Sequence, residues 1–168
     1  GTNMDEIATL SGVSKQTVYK HFSSKEALFV EIVSSLTNAT GDLVHNEAPA
    51  LKDGELEDYL VAYAYRQLTA VLVPQIMQLR RLVIGEVGRF PELASVLYER
   101  GPMRAMTMLA GIFEGLRKQG LLRFDDAREA AQHFNWLVMS EALNQAMLLG
   151  DKAIPKPPEL KRHAEAGV

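Results

Sequence analysis

Apolar residues recur at spacings of three and four from Met4 to Leu149, and no segment alternates apolar with polar over more than a few positions. That period belongs to helices laid on a shared core, since a strand would need alternation at every second residue. The pattern predicts an all-α chain. With 168 residues, 47% hydrophobic, it is long enough for folding to remove roughly 70% of its unfolded surface from water. It has no cysteine, so its core must stand without disulfides. No uninterrupted run of about 18 apolar residues is present, so no membrane span is expected. The opening Gly1 to Glu6 lacks a signal-peptide pattern, and the cytoplasm is the expected location.

Helix punctuation is legible along the chain. Ser14 can cap a helix starting at Lys15, and Ser23-Ser24-Lys25-Glu26 fits a capping box. The helix from Lys25 would run to about Asn46, although Thr40-Gly41 inside it argues against continuity. Asp53-Gly54 breaks the chain, Pro74 suits the first turn of a further helix, and Pro91 and Pro102 start or kink others. Arg117, Lys118 and Gly120 form a stop, Asp126 opens a helix that runs to about Leu149, and Gly150 ends it. Asp151 to Pro158, with three prolines, reads as a non-helical tether before a last helix from Glu159. Short helices at the start and longer, more apolar ones after residue 55 suggest two domains, 1–46 and 47–168.

The first domain has a recognisable layout. Ile7, Ala8 and Leu10 lie on one short helix, Gly12-Val13-Ser14 turns the chain, and Val18, Tyr19 and Phe22 follow at helical spacing. This is a helix-turn-helix pattern in which Val13 and Val18 are expected to pack inward. Net charge is −3 for the chain, and residues 1–46 carry three lysines against five carboxylates. Indiscriminate binding to nucleic acid by bulk charge is therefore excluded. Ser14 to Lys25, however, holds Lys15, Lys20, Lys25 and His21 with no carboxylate. Lys15, Gln16, Thr17, Lys20 and His21 all put donors on the outward side of the second helix, which is the right size for a major groove. The bland reading of such a run is a solvated helix face.

The segment from Ile7 to Phe29, IATLSGVSKQTVYKHFSSKEALF, resembles the DNA-binding domain of the tetracycline-repressor-like (TetR) family of bacterial regulators. The resemblance implies that Lys15, Gln16 and Thr17 face bases, that Tyr19 and His21 contact the sugar-phosphate backbone, and that Lys25 contacts a phosphate; Lys20, from its place on the outward face, would also sit where phosphates run. Thr2 matches a further backbone-contacting position. Ser11 departs from the alanine common at its place, and the family's usual first helix, often basic, would precede Gly1. The implied function is a ligand-responsive transcriptional regulator, a repressor that binds a palindromic operator in double-stranded DNA as a homodimer and is released by a small apolar or amphipathic effector. The other class that fits an all-helical chain is a small-molecule-binding or scaffold protein without sequence-specific DNA function.

Residues 55–149 resemble the family's larger domain, which dimerises and holds an effector pocket; the stretch Leu79 to Leu93 is similar to one of its C-terminal subfamilies. The helix from Asp126 is apolar on most sides, which calls for burial on more than one face: either it is a central core helix with no partner or, as the resemblance implies, it meets a second subunit through Phe134, Val138, Ala142, Gln145 and Leu149. Tyr59, Tyr63, Met77, Phe90, Met103, Met106, Phe113, Trp136 and Met139 are candidates to line a pocket, with Arg66, Gln67, Arg80, Glu86, His133 and Asn135 able to orient a ligand. Methionines and aromatics at helical spacing are more often core, and both readings stay open here. No catalytic site is expected: there is no thiol and no phosphate-cradling glycine loop in a strand context. The histidines at 21, 45, 133 and 163 do not cluster, and Glu129 with His133 supplies too few ligands for a metal. Neither a cofactor nor a metal is expected.

Overall fold

The computed structural model describes residues 3–44, 49–52 and 54–168, with the side chains of 39–43 left aside. The described residues form α1 (Met4–Leu10), α2 (Lys15–His21), α3 (Lys25–Val44), α4 (Leu56–Val71), α5 (Pro74–Glu86), α6 (Pro91–Tyr98), α7 (Arg104–Lys118), α8 (Ala127–Leu149) and α9 (Pro157–Ala166). There is no strand among them, and no single helix is long and apolar enough to cross a membrane. Thr2, His45, Asn46 and Asp53, and with them the proposed boundary between 46 and 47, lie outside the described residues.

The head folds by local capping around a very small core. The Glu6 N–H donates to Asn3 Oδ1 at 2.8 Å while the Asn3 N–H donates to Glu6 Oε2 at 3.0 Å, so α1 starts with a reciprocal box. Gly12, at φ +67°, makes the left-handed turn, and Ser14 Oγ accepts from the Thr17 N–H at 3.1 Å to start α2. Met4, Ala8 and Val18 are buried together, flanked by Ile7, Phe22 and Leu28. Val13 does not join them. Its N–H, donated to the Ala8 carbonyl at 3.2 Å, closes the turn and leaves the side chain 44% exposed. At the start of α3 the cap is Ser24, which accepts from the Ala27 N–H at 3.1 Å, so the expected box from Ser23 does not form. Glu26 sits one position too early to reach back. Its carboxylate is bonded by its own backbone and by the Ser24 hydroxyl, which hold it below the usual carboxylate range.

α3 is continuous through Gly41 and touches three cores in turn. Leu28 packs against the head; Val33 is fully buried against Leu79 and Val83 of α5, with Leu97 of α6 alongside; Val44 enters the main core. That main core lies where α7 packs along α8 and α4 along α9. Tyr63, Leu68, Leu109, Leu116, Val138 and Leu160 fill it. The helix ends follow their sequence signals. The Leu121 N–H donates to the Leu116 carbonyl and the Gly120 N–H to that of Arg117, closing α7 with Gly120 at φ +78°. Asp126 caps α8 at 2.8 Å. Pro102 acts differently from Pro91 and Pro74, which simply head their helices. Having no N–H and a ring that collides with the carbonyl four residues back, it sits in a widened π turn, Glu99–Met103, between α6 and α7.

Two expectations need correction. Phe134, Val138 and Ala142 are internal, packed with α4, α7 and α9, so this stripe of α8 is spent within the chain and not on a partner. The helix's outward side instead shows Trp136, Leu137, Gln145, Leu148 and Leu149. The tether after Gly150 is also shorter than 151–158, because Asp151–Ala153 forms a 3-10 turn and both Pro157 and Pro158 belong to the first turn of α9.

Asp151 anchors that turn. Arg81 reaches from α5 to the Asp151 carboxylate and to the Ala146 carbonyl at 2.7 Å, and the Gln78 side chain donates to the other carboxylate oxygen. These two donors hold the Asp151 carboxyl below its ordinary range. A lowered pKa means that the contribution exists above the unfolded-state value of about 4 and is lost as pH falls through the folded-state value. Asp151→Asn should therefore lower Tm at pH 7, and the gap to wild type should close as pH falls through the carboxyl's lowered folded-state range, read by thermal denaturation over a pH series.

Candidate functional site

Two places in this fold put polar groups where nothing inside the chain uses them. The first is the outer face of α2. Val18 is its buried anchor, and Lys15, Gln16, Thr17, Tyr19, Lys20 and His21 are all exposed, as is Lys25 at the start of α3. Two of these are partly engaged. Lys15 Nζ pairs with Asp5 on α1, and the Thr17 and Ser14 hydroxyls lie 2.8 Å apart. An exposed pair of this kind is worth only about 0.2–1 kcal/mol, so Lys15 can exchange Asp5 for another anion at little cost. Thr2 falls outside the described residues.

The second place is a cavity of about 190 Å³ between α3, α4, α5, the π turn, α7 and α8. It exceeds the roughly 150 Å³ that accommodates a benzene-sized molecule. Val71, Ile76, Leu97, Met106, Met139 and Leu143 give it an apolar lining, and Trp136 and Tyr98, both more than half exposed, stand at its opening. Of the nine side chains expected to line a pocket, Met106, Trp136 and Met139 do so. Tyr63, Met77 and Phe113 are core residues instead, and the Phe113 and Phe134 rings meet edge to face at 5.6 Å. Tyr59 packs on the outside of that core, while Phe90, covered by Arg89, and Met103 are not among the lining residues.

The polar lining is distinctive. Gln67, 4% exposed, donates through Nε2 to Asn135 Oδ1 at 2.6 Å, and its Oε1 is buried with no hydrogen-bond partner. A buried amide oxygen left unpaired costs about 1–3 kcal/mol, and this one is closed off from the cavity space as well as from solvent. Arg80 also lines the cavity, and burial pulls its pKa down from the usual guanidinium value. Among the described residues it has no ion pair or hydrogen bond, in contrast with its neighbour Arg81, which is fully used by Asp151 and Ala146. Arg66 stacks near Tyr63 away from the cavity, Glu86 is also outside it, and His133 is an exposed residue 4.0 Å from Glu129.

Sequence reasoning missed Arg100 and Arg104. Arg100 donates to Ser34 Oγ and Arg104 to Asn38 Oδ1, so both tie the cavity wall to α3, and Thr37 of α3 lines the cavity between them. A Cβ built on Gly101 would lie 3.5 Å from the Thr37 methyl, which shows how closely the π turn lies on α3. The signal that could have found this wall was Pro102 in the middle of a helical run. No group of three potential metal ligands exists among the described residues.

Comparison with known proteins agrees on both halves. Residues 1–32 match the model of the TetR family of bacterial regulatory proteins, and residues 58–168 match that of the C-terminal domain of AefR-like transcriptional repressors. A TetR-family transcriptional regulator of Mesorhizobium loti has 36% identity and a TM-score of 0.90, the match covering 99% of this chain and 83% of that one. The Flavonoid-responsive Regulator FrrA is 34% identical with a TM-score of 0.77, over 99% of this chain and 82% of FrrA. A TetR-family regulator of Pseudomonas syringae follows at 28% identity and 0.75, over 99% and 81%. No curated protein sequence matches.

The Gln67–Asn135 pair is a stability cost carried in the cavity wall. Replacing both partners with apolar groups of similar size removes the unpaired oxygen together with the need for it. The double variant Gln67→Leu/Asn135→Leu is expected to match or exceed the wild-type Tm, by about 2–4 °C for each kcal/mol gained, in thermal denaturation without ligand.

Proposed function

This chain belongs to the TetR family of bacterial regulatory proteins, and from that premise we propose that it is a homodimeric repressor released from its operator by a small molecule bound in the α3–α8 cavity. It is a transcriptional regulator and not an enzyme. In this reading residues 1–46 form the reading head and 47–168 the effector-binding and dimerising body. Lys15, Gln16 and Thr17 meet base edges. Tyr19, Lys20, His21 and Lys25, with Thr2, meet the sugar-phosphate backbone. Two heads related by a two-fold axis would sit about 34 Å apart on a palindrome. The outward side of α8, with Leu137, Gln145, Leu148 and Leu149, is the surface offered for the second copy.

The observation that carries the proposal is that one helix serves both places. α3 begins beside α2 with Lys25 and forms a cavity wall with Thr37 and Val44. A ligand that fits better when the wall stands slightly apart would bias α3, and with it the head; only unequal binding to the two arrangements can do so. Because FrrA is flavonoid-responsive by name, a planar hydroxylated molecule is the first ligand class to test here.

Fluorescence anisotropy with duplexes over a salt series tests the head. Affinity should fall steeply with salt and favour a palindrome; flat, sequence-blind binding would instead support a helical binding protein without operator function. Gln16→Ala should relax sequence preference by about 1–3 kcal/mol per half-site, whereas Lys25→Ala should weaken all duplexes alike and reduce the salt slope by about 1. Equal loss of specificity in both would overturn the assigned roles. For the coupling, Asn38→Ala, which frees Arg104 from α3 without touching a cavity-lining residue, should leave effector affinity within about threefold while reducing the effector's influence on operator affinity, measured by titrating effector against preformed complex.

A further inference from the structure

Three arginines line the cavity, Arg80, Arg100 and Arg104, and no carboxylate lines it among the described residues. Arg100 and Arg104 bond only to neutral groups, Ser34 and Asn38, and no ion pair reaches any of the three among the described residues. This occurs in a chain with 21 acidic residues against 18 basic ones, so carboxylates are not scarce. Arg80 is the sharpest case. It is partly buried, lines the cavity with Val71, Ile76 and Leu79 and has no partner among the described residues, next in sequence to an arginine that has two. A desolvated cation facing empty apolar space is unfavourable until an anion arrives, and once it does, the low dielectric strengthens the pair.

We propose that the cavity selects an amphipathic anion, whose apolar body lies against Trp136 and Met139 and whose deprotonated oxygen, a carboxylate or acidic phenolate, bonds to Arg80. The ligand is thus an apolar framework with one anionic end. This inference rests on the reading of the cavity as an effector site. The depression of the Arg80 pKa by burial agrees with it, since the group is desolvated while still lacking a counter-charge.

A matched pair of probes tests it: 4-butylbenzoate and the near-isosteric neutral 4-butylbenzamide, titrated into the full chain at pH 7.5 by calorimetry. Trp136 is the only tryptophan, so its fluorescence reports whether a probe has entered this cavity. The benzoate should bind about tenfold to hundredfold more tightly, as a charge-assisted bond would dictate. The preference should vanish in Arg80→Gln and persist in Arg80→Lys. Arg80→Gln should also raise the Tm of the unliganded protein by a few degrees, since it removes a desolvated, unpaired charge. Equal affinities in the wild type, or a preference that survives Arg80→Gln, would overturn the anion inference while leaving the effector cavity standing. Failure of both probes to bind or to change Trp136 emission would overturn the cavity reading and this inference with it. The wild-type comparison decides the matter even if Arg80→Gln does not fold.

Discussion

The structure depends on α3 being one unbroken helix. Its 20 residues span about 30 Å, and along that length it is fastened by Leu28 to the head, by Val33 to α5 and α6, and by Val44 to the main core. A helix fixed at three points moves as a rod. A tilt of about 5° about its body end displaces the other end by roughly 2–3 Å, a distance that matters for side chains in a groove and is negligible for the packing that produced it. Among the described residues the head has only three buried ones of its own, Met4, Ala8 and Val18, so much of its position is set by the rod it stands on.

What holds α3 against the cavity is of a different kind from what holds the rest. α7 on α8 and α4 on α9 meet through close-packed apolar side chains, which have one good arrangement. On the cavity side the described polar contacts are two arginine hydrogen bonds to Ser34 and Asn38, with the light touch of Gly101 on Thr37 beside them, set on a π turn. Each such hydrogen bond is worth about 0.5–1.5 kcal/mol net, and the coupling energies of ligand switches are about 1–3 kcal/mol. These polar fastenings of the rod are therefore matched in size to what a ligand can supply, and they lie beside the cavity.

How much of this could be read in the sequence depended on range. Ser14, Gly120 and Asp126 act within a turn of themselves, and their caps form as their identities dictate. The outward face of α2 was legible for the same reason, because a seven-residue helix with one buried anchor leaves the other side chains outside. The body was not legible at that resolution. Tyr63 and Met106 look equivalent in a list of apolar helical positions, but one is in the core and the other lines the cavity, because the crossing of α4 and α7 over α8 decides which side is filled. Phe134, Val138 and Ala142 were misread for the same reason: an apolar stripe does not say whether it meets the chain's own helices or a copy. Arg100 and Arg104 find their partners 66 residues away, and no local pattern carries such a pairing. Arg80 and Arg81 differ only by the 100° turn between successive helix positions, which sends one to Asp151 and the other to the cavity.

The distribution of charge then acquires a mechanical meaning. The chain is acidic overall, yet the face of α2 and the cavity wall are both cationic. On the proposed reading each meets an anion, phosphate outside and an acidic ligand inside. Operator binding through α2 must take Lys15 from Asp5, so this face offers DNA a narrow edge of contacts. Contacts of that kind are sensitive to small displacements, because each depends on one side chain reaching one phosphate or base edge. A few kcal/mol delivered through α3 is then enough to lift them from the groove.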